Sequence, residues 1–293
     1  MAASKGIVIL GGGEEIDYLV QNIDKIGIPL VAYGPSTDPS SNAHTYCKKN
    51  KIRIIEDYKE AVALEPEFIF MMSYAPLIPQ EMIEKVKFIN VHGALLPRYR
   101  GMHGGTWALI NGEEKAGYTI HLVDKGIDSG PIYFQSSVDV GISDTIVTVR
   151  EKIKFSFEEN ILSQLKDIYN NGVSAVAQNE NDAIHVCRRH PKDSRVDWTW
   201  SSKRIHDFVR SLCPPYTEGA ATYFGETLLR IQRSEYKNLP SYYGNPGQIV
   251  SVYEDQSFLV KTGDSALRIS FVEPEEHHDT FEKLRKMVGS RLK

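Results

Sequence analysis

Five short apolar runs, each followed by a segment of helical length, occupy the first third of the chain. The runs cover residues 6–10, 29–34, 52–56, 68–73 and 88–93. They are continuously apolar rather than alternating, which indicates strands that are buried on both faces. The segments that separate them, such as EEIDYLVQNIDKIG and PQEMIEKV, mix polar and apolar residues with helical spacing. This order predicts an α/β fold in which helices cover both faces of a mostly parallel sheet.

The segments YTIHLVD and PIYFQSSVDV are two further predicted strands, and the turn-rich sequence KGIDSG between them places Asp128 in their connection. A long helix is predicted from about Thr145 to Asn171. From about residue 180 the pattern changes to one helical segment, SSKRIHDFVRSL, followed by short β-like pieces separated by Gly, Pro and Asp. We therefore expect a first domain over residues 1–180 and a β-rich second domain, similar to a small open barrel, over residues 181–293.

Composition and charge exclude several classes of protein. The 293 residues carry a formal net charge of −4, which gives no global attraction to nucleic acid or to an anionic membrane. No apolar run approaches the roughly 20 residues that a membrane helix needs, and the first residues lack the pattern of a secretory signal. The widely spaced cysteines and the His277–His278 pair have neither disulfide-framework nor metal-ligand spacing. We expect a cytoplasmic protein that needs no metal.

The sequence ILGGGEEI follows the first predicted strand, at the position of the glycine-rich turn of dinucleotide-binding proteins. Ile16 occupies the place of the third small residue, and Glu14 and Glu15 put negative charge at the helix N-terminus where a pyrophosphate would bind. The second strand ends in Tyr33–Gly34, without the carboxylate that binds a ribose. The pattern favours a tight strand-to-helix turn over a dinucleotide site.

The fifth apolar run ends in polar residues, within the sequence FINVHGALLPRYRG. Asn90 and His92 are two residues apart and therefore face the same side of a strand. In a parallel sheet, ligands bind at the carboxyl ends of the strands. Capping of the following loop is the simpler explanation for an isolated pair of this kind. The rigid loop around Pro97 and the carboxylate of Asp128 in a second loop favour a binding cleft instead.

Taken together, FINVHGALLPRYRG, WALINGE and YTIHLVDKGIDSGPI resemble the folate-dependent formyltransferase family, whose members transfer a formyl group from 10-formyltetrahydrofolate to an amine. The family pattern of Asn-x-His, Leu-Leu-Pro and Asp-x-Gly falls on residues 90–92, 95–97 and 128–130. Gly93–Ala94 stand where relatives often have a Ser. The resemblance covers roughly residues 5–175, and the later sequence also resembles the linker and C-terminal domain of longer members. It implies a Rossmann-like catalytic domain followed by a small β-rich domain.

The resemblance implies that Asn90, His92 and Asp128 are the catalytic residues. Attack of an amine on the formyl carbon produces a tetrahedral oxyanion, to which the amide of Asn90 and the imidazole of His92 could donate hydrogen bonds. Asp128 could orient and charge the imidazole and help to remove the proton of the amine, directly or through water. This scheme requires no metal.

The resemblance also indicates, by region, which residues bind the two substrates. It implies a folate site formed by Met72, Ser73, Tyr74, Leu77, Val123, Asp124 and Ile127. The acceptor is predicted to contact Arg98, Tyr99, Arg100 and Trp107. Arginines suit a diphosphate, and the aromatic rings could stack on the ligand, although core packing explains each aromatic residue equally well.

Three classes of acceptor remain open at this point. Enzymes that formylate glycinamide ribonucleotide typically have a single domain, so the second domain argues against them. Methionyl-tRNA formyltransferases carry a basic loop after the second strand, whereas residues 34–46 contain no Lys or Arg. Residues 180–293 contain 17 Lys and Arg against 16 Asp and Glu, a poor balance for tRNA despite the local cluster at residues 188–195.

We therefore predict that the acceptor is a nucleotide-linked amino sugar of the kind used for lipopolysaccharide and other surface polysaccharides. Methionyl-tRNA is the alternative acceptor. A non-catalytic folate- or nucleotide-binding protein is a remote second alternative, against which the complete set of Asn90, His92 and Asp128 argues. Relatives that modify sugars often pair, so a homodimer is compatible with this interpretation.

Overall fold

The computed structural model of the protein describes residues 5–35, 40–240, 244–271 and 288–293. The chain divides into two compact units. The first comprises Met1–Gly104, Ala116–Val138 and Glu151–Cys187, and the second comprises Gly105–Lys115, Asp139–Arg150 and Arg188–Lys293. Two segments that precede residue 180, residues 105–115 and 139–150, thus group with residues 188–293.

Hydrogen bonds within the second unit account for one of those two segments. Arg210 donates from Nη1 to the carbonyl oxygens of Gly141 and Asp144. A ring nitrogen of His206 lies 2.8 Å from the carbonyl oxygen of Ile142. These polar contacts tie residues 141–144 to the helix that carries His206 and Arg210. The sequence pattern did not reveal this connection because it joins residues more than sixty positions apart.

The first unit contains a seven-stranded sheet with the order β3-β2-β1-β4-β5-β7-β8. Its strands are β1 (Ile7–Gly11), β2 (Leu30–Pro35), β3 (Arg53–Ile54), β4 (Ile69–Met72), β5 (Phe88–His92), β7 (Lys115–Leu122) and β8 (Ile132–Asp139). A separate parallel ribbon is formed by β6 (Arg100–Gly101) and β9 (His185–Val186). Strands β1 to β5 pair in parallel, whereas β5 and β7 are antiparallel. The mostly parallel α/β sheet predicted from the sequence is confirmed.

The helices are α1 (Glu14–Asn22), α2 (Asn42–Lys49), α3 (Tyr58–Ala63), α4 (Gln80–Ile83), α5 (Gly104–Ile110), α6 (Ile146–Asn170) and α7 (Ser202–Ser211). Strand residues alternate between two cores: Ile9 packs in one cluster with Leu19 of α1 and Phe157 of α6. Its neighbour Val8 packs in another cluster with Ala61 of α3. Strands covered on both faces explain the continuous apolar runs in the sequence.

The glycine turn after β1 serves the packing of the sheet. Gly11 has a φ of 132°, and a Cβ atom there would overlap the carbonyl oxygen of Met72 at the end of β4. Ile16 is fully buried in the core, and Glu14 forms an ion pair with Lys154 of α6. The close approach of two strand ends therefore explains the glycine at position 11.

The second unit contains a five-stranded antiparallel sheet with the order β10-β11-β14-β13-β12. Its strands are β10 (Ala220–Phe224), β11 (Thr227–Glu235), β12 (Ile249–Val252), β13 (Phe258–Lys261) and β14 (Ala266–Phe271). Ile205 and Phe208 of α7 pack in the core cluster of this sheet. The predicted β-rich second domain is thus confirmed as a fold.

Two kinds of feature are absent from the described residues. None of the described helices is long and apolar enough to cross a membrane. No group of three His, Cys, Asp or Glu side chains with the arrangement of a metal site occurs in the described part of the chain. His277 and His278 lie outside the described residues.

Candidate active site

The end of β5 brings together the three residues that the sequence singled out. His92 is the last residue of β5, and Asp128 lies in the loop between β7 and β8. The Nδ1 atom of His92 nevertheless lies 3.2 Å from Oδ2 of Asp128. Asn90, two residues earlier on the same strand, contacts Nε2 of His121 through its Nδ2 atom at 3.2 Å. His121 in turn lies 3.5 Å from Oδ1 of Asp128. The four side chains form one connected polar cluster in the first unit.

His121 is the member of this cluster that the sequence analysis missed. It lies on β7 directly opposite Asn90 in the antiparallel pair and is 2% exposed. Its Nδ1 atom lies 2.7 Å from the carbonyl oxygen of Leu122, so that in the neutral ring Nε2 accepts the hydrogen bond from Asn90. The sequence did contain a sign of this residue, namely a polar side chain within the apolar strand YTIHL. To place His121 beside Asn90, however, one must know that β5 pairs with β7, which the sequence did not reveal.

The ring of His92 lies between two hydrogen-bond acceptors. Its Nδ1 atom faces the Asp128 carboxylate, and its Nε2 atom lies 2.8 Å from the carbonyl oxygen of Tyr99. A neutral imidazole has one N–H and can donate to only one of these groups, whereas an imidazolium can donate to both. Burial lowers the pKa of His92, although the Asp128 carboxylate and the Tyr99 carbonyl oppose this effect. Burial thus favours the neutral ring, whereas the two acceptors stabilise a proton that the ring takes up.

The carboxylate of Asp128 has partners that keep it ionised. Its Oδ2 atom accepts a hydrogen bond of 2.9 Å from the backbone N–H of Gly101. Burial by itself raises the pKa of Asp128. The neighbouring rings of His121 and His92 and the hydrogen bond from Gly101 outweigh this, so the pKa of Asp128 lies below its ordinary value. A charged carboxylate beside a buried imidazole can orient the ring and stabilise its protonated form.

The loop that follows β5 is anchored to β7 and β8 by side chains. The hydroxyl of Thr119 donates to the carbonyl oxygen of Ala94 and accepts from the N–H of Leu96. Gln135 donates from Nε2 to the carbonyl oxygen of Leu96 and to the Thr119 hydroxyl. These bonds fix the backbone of the Leu-Leu-Pro segment immediately beside His92. The loop is therefore held in place before any substrate binds.

The arginines and the tyrosine that follow this loop differ in their surroundings. Arg98 is exposed, and its guanidinium lies 5.4 Å from the centre of the Tyr99 ring. Tyr99 is 3% exposed and Arg100 is 2% exposed. The guanidinium of Arg100 is bound by Glu180 at 2.7 and 2.9 Å and by Gln178 at 2.8 and 3.1 Å. Of the three residues predicted here to contact the acceptor, Tyr99 and Arg100 are buried in the free protein and Arg98 is exposed.

Trp107, the fourth residue predicted to contact the acceptor, belongs to the second compact unit. It lies on α5 and is partly buried. The guanidinium of Arg189 lies 5.2 Å from the centre of its ring. This cation–π contact helps to hold the indole in place within the second unit.

The first of the two segments predicted to bind folate follows β4. Met72 is the last residue of β4, beside Val91 of β5, and Ser73 has a φ of 54°. The hydroxyl of Tyr74 accepts a hydrogen bond from the N–H of Tyr58, and burial raises the pKa of Tyr74. Leu77 is 82% exposed, which is unusual for a large apolar side chain. This segment thus combines a fixed start with an apolar side chain directed to the surface.

The second of these segments connects β7 to Asp128. Val123 packs in the same core cluster as Tyr74, and its N–H donates to the carbonyl oxygen of Phe88. The carboxylate of Asp124 accepts hydrogen bonds from the N–H of Gly126 and the hydroxyl of Ser129, which closes a tight turn. Ile127 at the tip of this turn is 59% exposed. Each segment therefore has one large apolar side chain at the surface.

Gly104, the first residue of α5, packs directly on the His92 ring. A Cβ atom at this position would lie 2.7 Å from the carbonyl oxygen of Tyr99 and 3.0 Å from Nε2 of His92. These two atoms form the hydrogen bond that positions the ring, so a methyl group there must displace one of them. Sequence analysis gave this glycine no role, because the contact depends on the path of the loop.

Gly104→Ala is expected to lower kcat about 10-fold or more while the protein remains folded, because small displacements of reacting groups are costly and Ala is the better helix former. Steady-state kinetics and thermal unfolding of the variant check this. Gly141→Ala is the control, since its Cβ would lie no closer than 3.4 Å to a neighbouring atom. Wild-type kcat in Gly104→Ala would show that the position of the ring is not critical.

The family model for formyl transferase matches residues 35–165, and the model for the formyl transferase C-terminal domain matches residues 189–280. Methionyl-tRNA formyltransferase of Mesoplasma florum is 31% identical over 225 residues, which are 76% of this chain and 70% of that protein.

Two solved structures have similar folds. One is WlaRD, a sugar 3N-formyl transferase solved in the presence of dTDP and 5-N-formyl-THF, with a TM-score of 0.76, 19% identity and coverage of 93% of this chain and 100% of that one. The other is the N-formyltransferase from Helicobacter canadensis in complex with folinic acid and dTDP-3-aminofucose, with a TM-score of 0.74, 21% identity and coverage of 92% and 99%. Identities this low show likeness of fold.

Proposed function

The chain belongs to the formyltransferase family of folate-dependent enzymes, and on that premise we propose that it transfers a formyl group from 10-formyltetrahydrofolate to the amine of a nucleotide-linked amino sugar. The observation that carries the proposal is the connected polar cluster of Asn90, His92, His121 and Asp128 at the carboxyl end of β5, in which both histidines are buried. Such a strand end is where α/β sheets bind ligands. The cluster contains the hydrogen-bond donors and the proton acceptors that acyl transfer needs.

In the proposed reaction the amine attacks the formyl carbon, a C–N bond forms, and an electron pair moves onto the carbonyl oxygen. The amide of Asn90 donates a hydrogen bond to the developing oxyanion, and a proton taken up by His92 stabilises the same negative charge. The proton of the attacking amine passes to the pair of His92 and Asp128, directly or through water. The intermediate then collapses, the bond to the folate nitrogen breaks, and that nitrogen leaves with the proton.

The proposed donor site lies between the segments 72–77 and 123–128. Both segments adjoin β5, through the pairing of Met72 with Val91 and the hydrogen bond from Val123 to Phe88. Leu77 and Ile127 present apolar surface that suits the flat pterin ring of a folate. The similar structures that hold 5-N-formyl-THF or folinic acid are consistent with a folate donor.

Leu77→Ser is expected to weaken folate binding by about 10-fold, since loss of an apolar contact of this size costs on the order of 1.4 kcal/mol. The side chain is 82% exposed, so the stability of the free protein should be unchanged. Calorimetric titration with a reduced folate measures the effect. Phe155→Ser removes another large exposed side chain, on α6, and should bind folate normally. Equal affinity of the Leu77→Ser variant and the wild type would place the pterin elsewhere.

The proposed acceptor is a nucleotide-linked amino sugar for two reasons. Residues 34–46 contain no Lys or Arg, so the segment after β2 offers no positive charge to a polyanion. The two structures of similar fold hold dTDP or a dTDP-linked amino sugar.

The exposed guanidinium of Arg98, close in sequence to His92, is our candidate for binding the diphosphate. We place the reaction in the cytoplasm, because the three cysteines of the sequence are widely spaced and odd in number, without the pattern of a disulfide framework.

Formylation of initiator methionyl-tRNA is the second candidate. It is favoured by the 31% identity with a methionyl-tRNA formyltransferase over most of the chain. The chain also matches both the formyl transferase model and the model for its C-terminal domain. The near balance of charge in residues 180–293 counts against it.

A screen by mass spectrometry tests the proposed function. The protein is incubated with 10-formyltetrahydrofolate and a panel of nucleotide-linked amino sugars that differ in base, sugar and position of the amine. At least one member is expected to gain the mass of a formyl group, with release of tetrahydrofolate in equal amount. Release of tetrahydrofolate without a formylated sugar, or no turnover with any member, would refute the choice of acceptor.

A further inference from the structure

The segment that follows α6 returns to the proposed active site. Val176 pairs with Ile132 at the start of β8 through two backbone hydrogen bonds of 2.8 Å. Two residues later, Gln178 donates from Nε2 to the carbonyl oxygen of Asp128 at 2.8 Å and to that of Gly130 at 2.7 Å. A single side-chain amide therefore binds the backbone on both sides of Ser129.

Arg100 fixes which way the Gln178 amide points. The Nε and Nη2 atoms of Arg100 donate to Oε1 of Gln178 at 3.1 and 2.8 Å. A guanidinium can only donate, so the amide oxygen must face Arg100 and the NH₂ group must face the carbonyls of Asp128 and Gly130. Glu180 binds the outer edge of the same guanidinium in a bidentate pair at 2.7 and 2.9 Å. The planar fork of Arg suits two such partners at once.

The backbone of Asp128 needs this support. Its φ is 52°, in the left-handed region that residues other than glycine adopt only at a cost in free energy. Strained residues of this kind persist when surrounding contacts determine their conformation. At Gly130, two residues later, a Cβ atom would overlap the carbonyl oxygen of Leu122, so the chain has little freedom to move there. Gln178 binds the two carbonyl groups that bracket this turn.

The conformation of this turn sets the direction of the Asp128 carboxylate. The Asp128 carboxylate lies 3.2 Å from Nδ1 of His92 and 3.5 Å from Nε2 of His121. Rotation about the backbone of Asp128 would lengthen both distances. The N–H of Gly101, which follows Arg100 directly, holds Oδ2 from the other side at 2.9 Å. Arg100 and Gly101 thus act on the backbone and the side chain of the same aspartate.

We propose that Gln178, oriented by Arg100, is a positioning residue that holds the Asp128 carboxylate in line with His92. It contacts neither the reacting atoms nor a substrate, and it acts on the reaction through Asp128 alone. The inference rests on the proposed function, because it requires Asp128 to take part in formyl transfer. It also explains why the guanidinium of Arg100 is buried, which binding of an acceptor would not explain.

A double-mutant cycle with Asp128→Asn tests the proposal. Gln178→Glu keeps an oxygen facing Arg100 but removes the N–H groups that bind the backbone, and Gln178→Ala removes both. We expect each to lower kcat about 10-fold or more in the wild-type background, with little change of KM for either substrate. In the Asp128→Asn background the same changes should alter kcat by less than about 2-fold, because residues that act through one another are not additive.

One control and three possible results decide whether Gln178 positions Asp128. Asn179→Ala, which removes a side chain bonded to Asn181 and Asp182 in the same segment, is the control and should have wild-type kcat. If Gln178→Glu and Gln178→Ala keep wild-type kcat, or lose the same factor in both backgrounds while remaining folded by thermal unfolding, the positioning role is refuted. If Asp128→Asn itself retains wild-type kcat, the proposed active site is wrong and the inference fails with it.

Discussion

Replacement of His92 by Ala is expected to lower kcat for formyl transfer at least about 100-fold, the typical effect of removing an oxyanion donor or an acid–base group. The side chain is 8% exposed and lies between the Asp128 carboxylate and the Tyr99 carbonyl oxygen, so its partners are groups of the protein rather than solvent. The carboxylate keeps the hydrogen bond from Gly101, which limits the loss of stability. Steady-state kinetics together with thermal unfolding measure both effects.

His44 provides a matched control for this variant. It has the same exposure of 8%, lies on α2, and its Nδ1 atom has no hydrogen-bond partner. His44→Ala should therefore remove a buried imidazole at a similar cost in stability while kcat is unchanged. Comparable loss of kcat in both variants would mean that reduced stability, rather than chemistry, explains the result for His92.

Replacement of Asp128 by Asn has the second large expected effect, a fall in kcat of about 100-fold. The amide keeps the size of the carboxylate and can still accept the hydrogen bond from Gly101, but it carries no charge. The attraction of Asp128 raises the pKa of His92, and burial lowers it. Without the charge, the pKa of His92 should fall further, so the ring would take up the proton of the amine less readily.

A titration of the ring by NMR with labelled histidine measures this shift alongside kcat. The signal of His92 is identified by its absence from His92→Ala. Asp255→Asn, which removes an exposed carboxylate of the second unit that pairs with Arg268, controls for the change of net charge and should leave both quantities unaltered. A rise in the pKa of His92, or an unchanged kcat, would contradict the role given to Asp128.

The sequence predicted those parts of the site that depend on one strand or one turn. Asn90 and His92 are two residues apart on a single strand, so the period of a strand suffices to place them on the same side. Asp128 was placed in a strand connection by the turn residues around it, and β7 and β8 flank that connection in the structure. The contact between His92 and Asp128 required in addition that two strands lie side by side, which the family resemblance supplied.

The parts that the sequence did not predict depend on contacts between distant residues. His121 is 31 residues from Asn90 and contacts it through the antiparallel pairing of β5 with β7. Arg100 looked like a surface cation because its partners Gln178 and Glu180 follow 78 and 80 residues later. No local pattern signals such a pair, and a buried arginine has the same sequence context as an exposed one.

The identity of the acceptor is tested by supplying two kinds of acceptor with the same formyl donor. Initial rates of formyl transfer from 10-formyltetrahydrofolate to dTDP-linked amino sugars and to initiator methionyl-tRNA are measured at low and at physiological salt. We predict transfer to an amino sugar with a weak dependence on salt, because a nucleotide diphosphate presents only about two charges. Efficient formylation of the tRNA that falls steeply with salt, with none of the amino sugars accepted, would contradict the account.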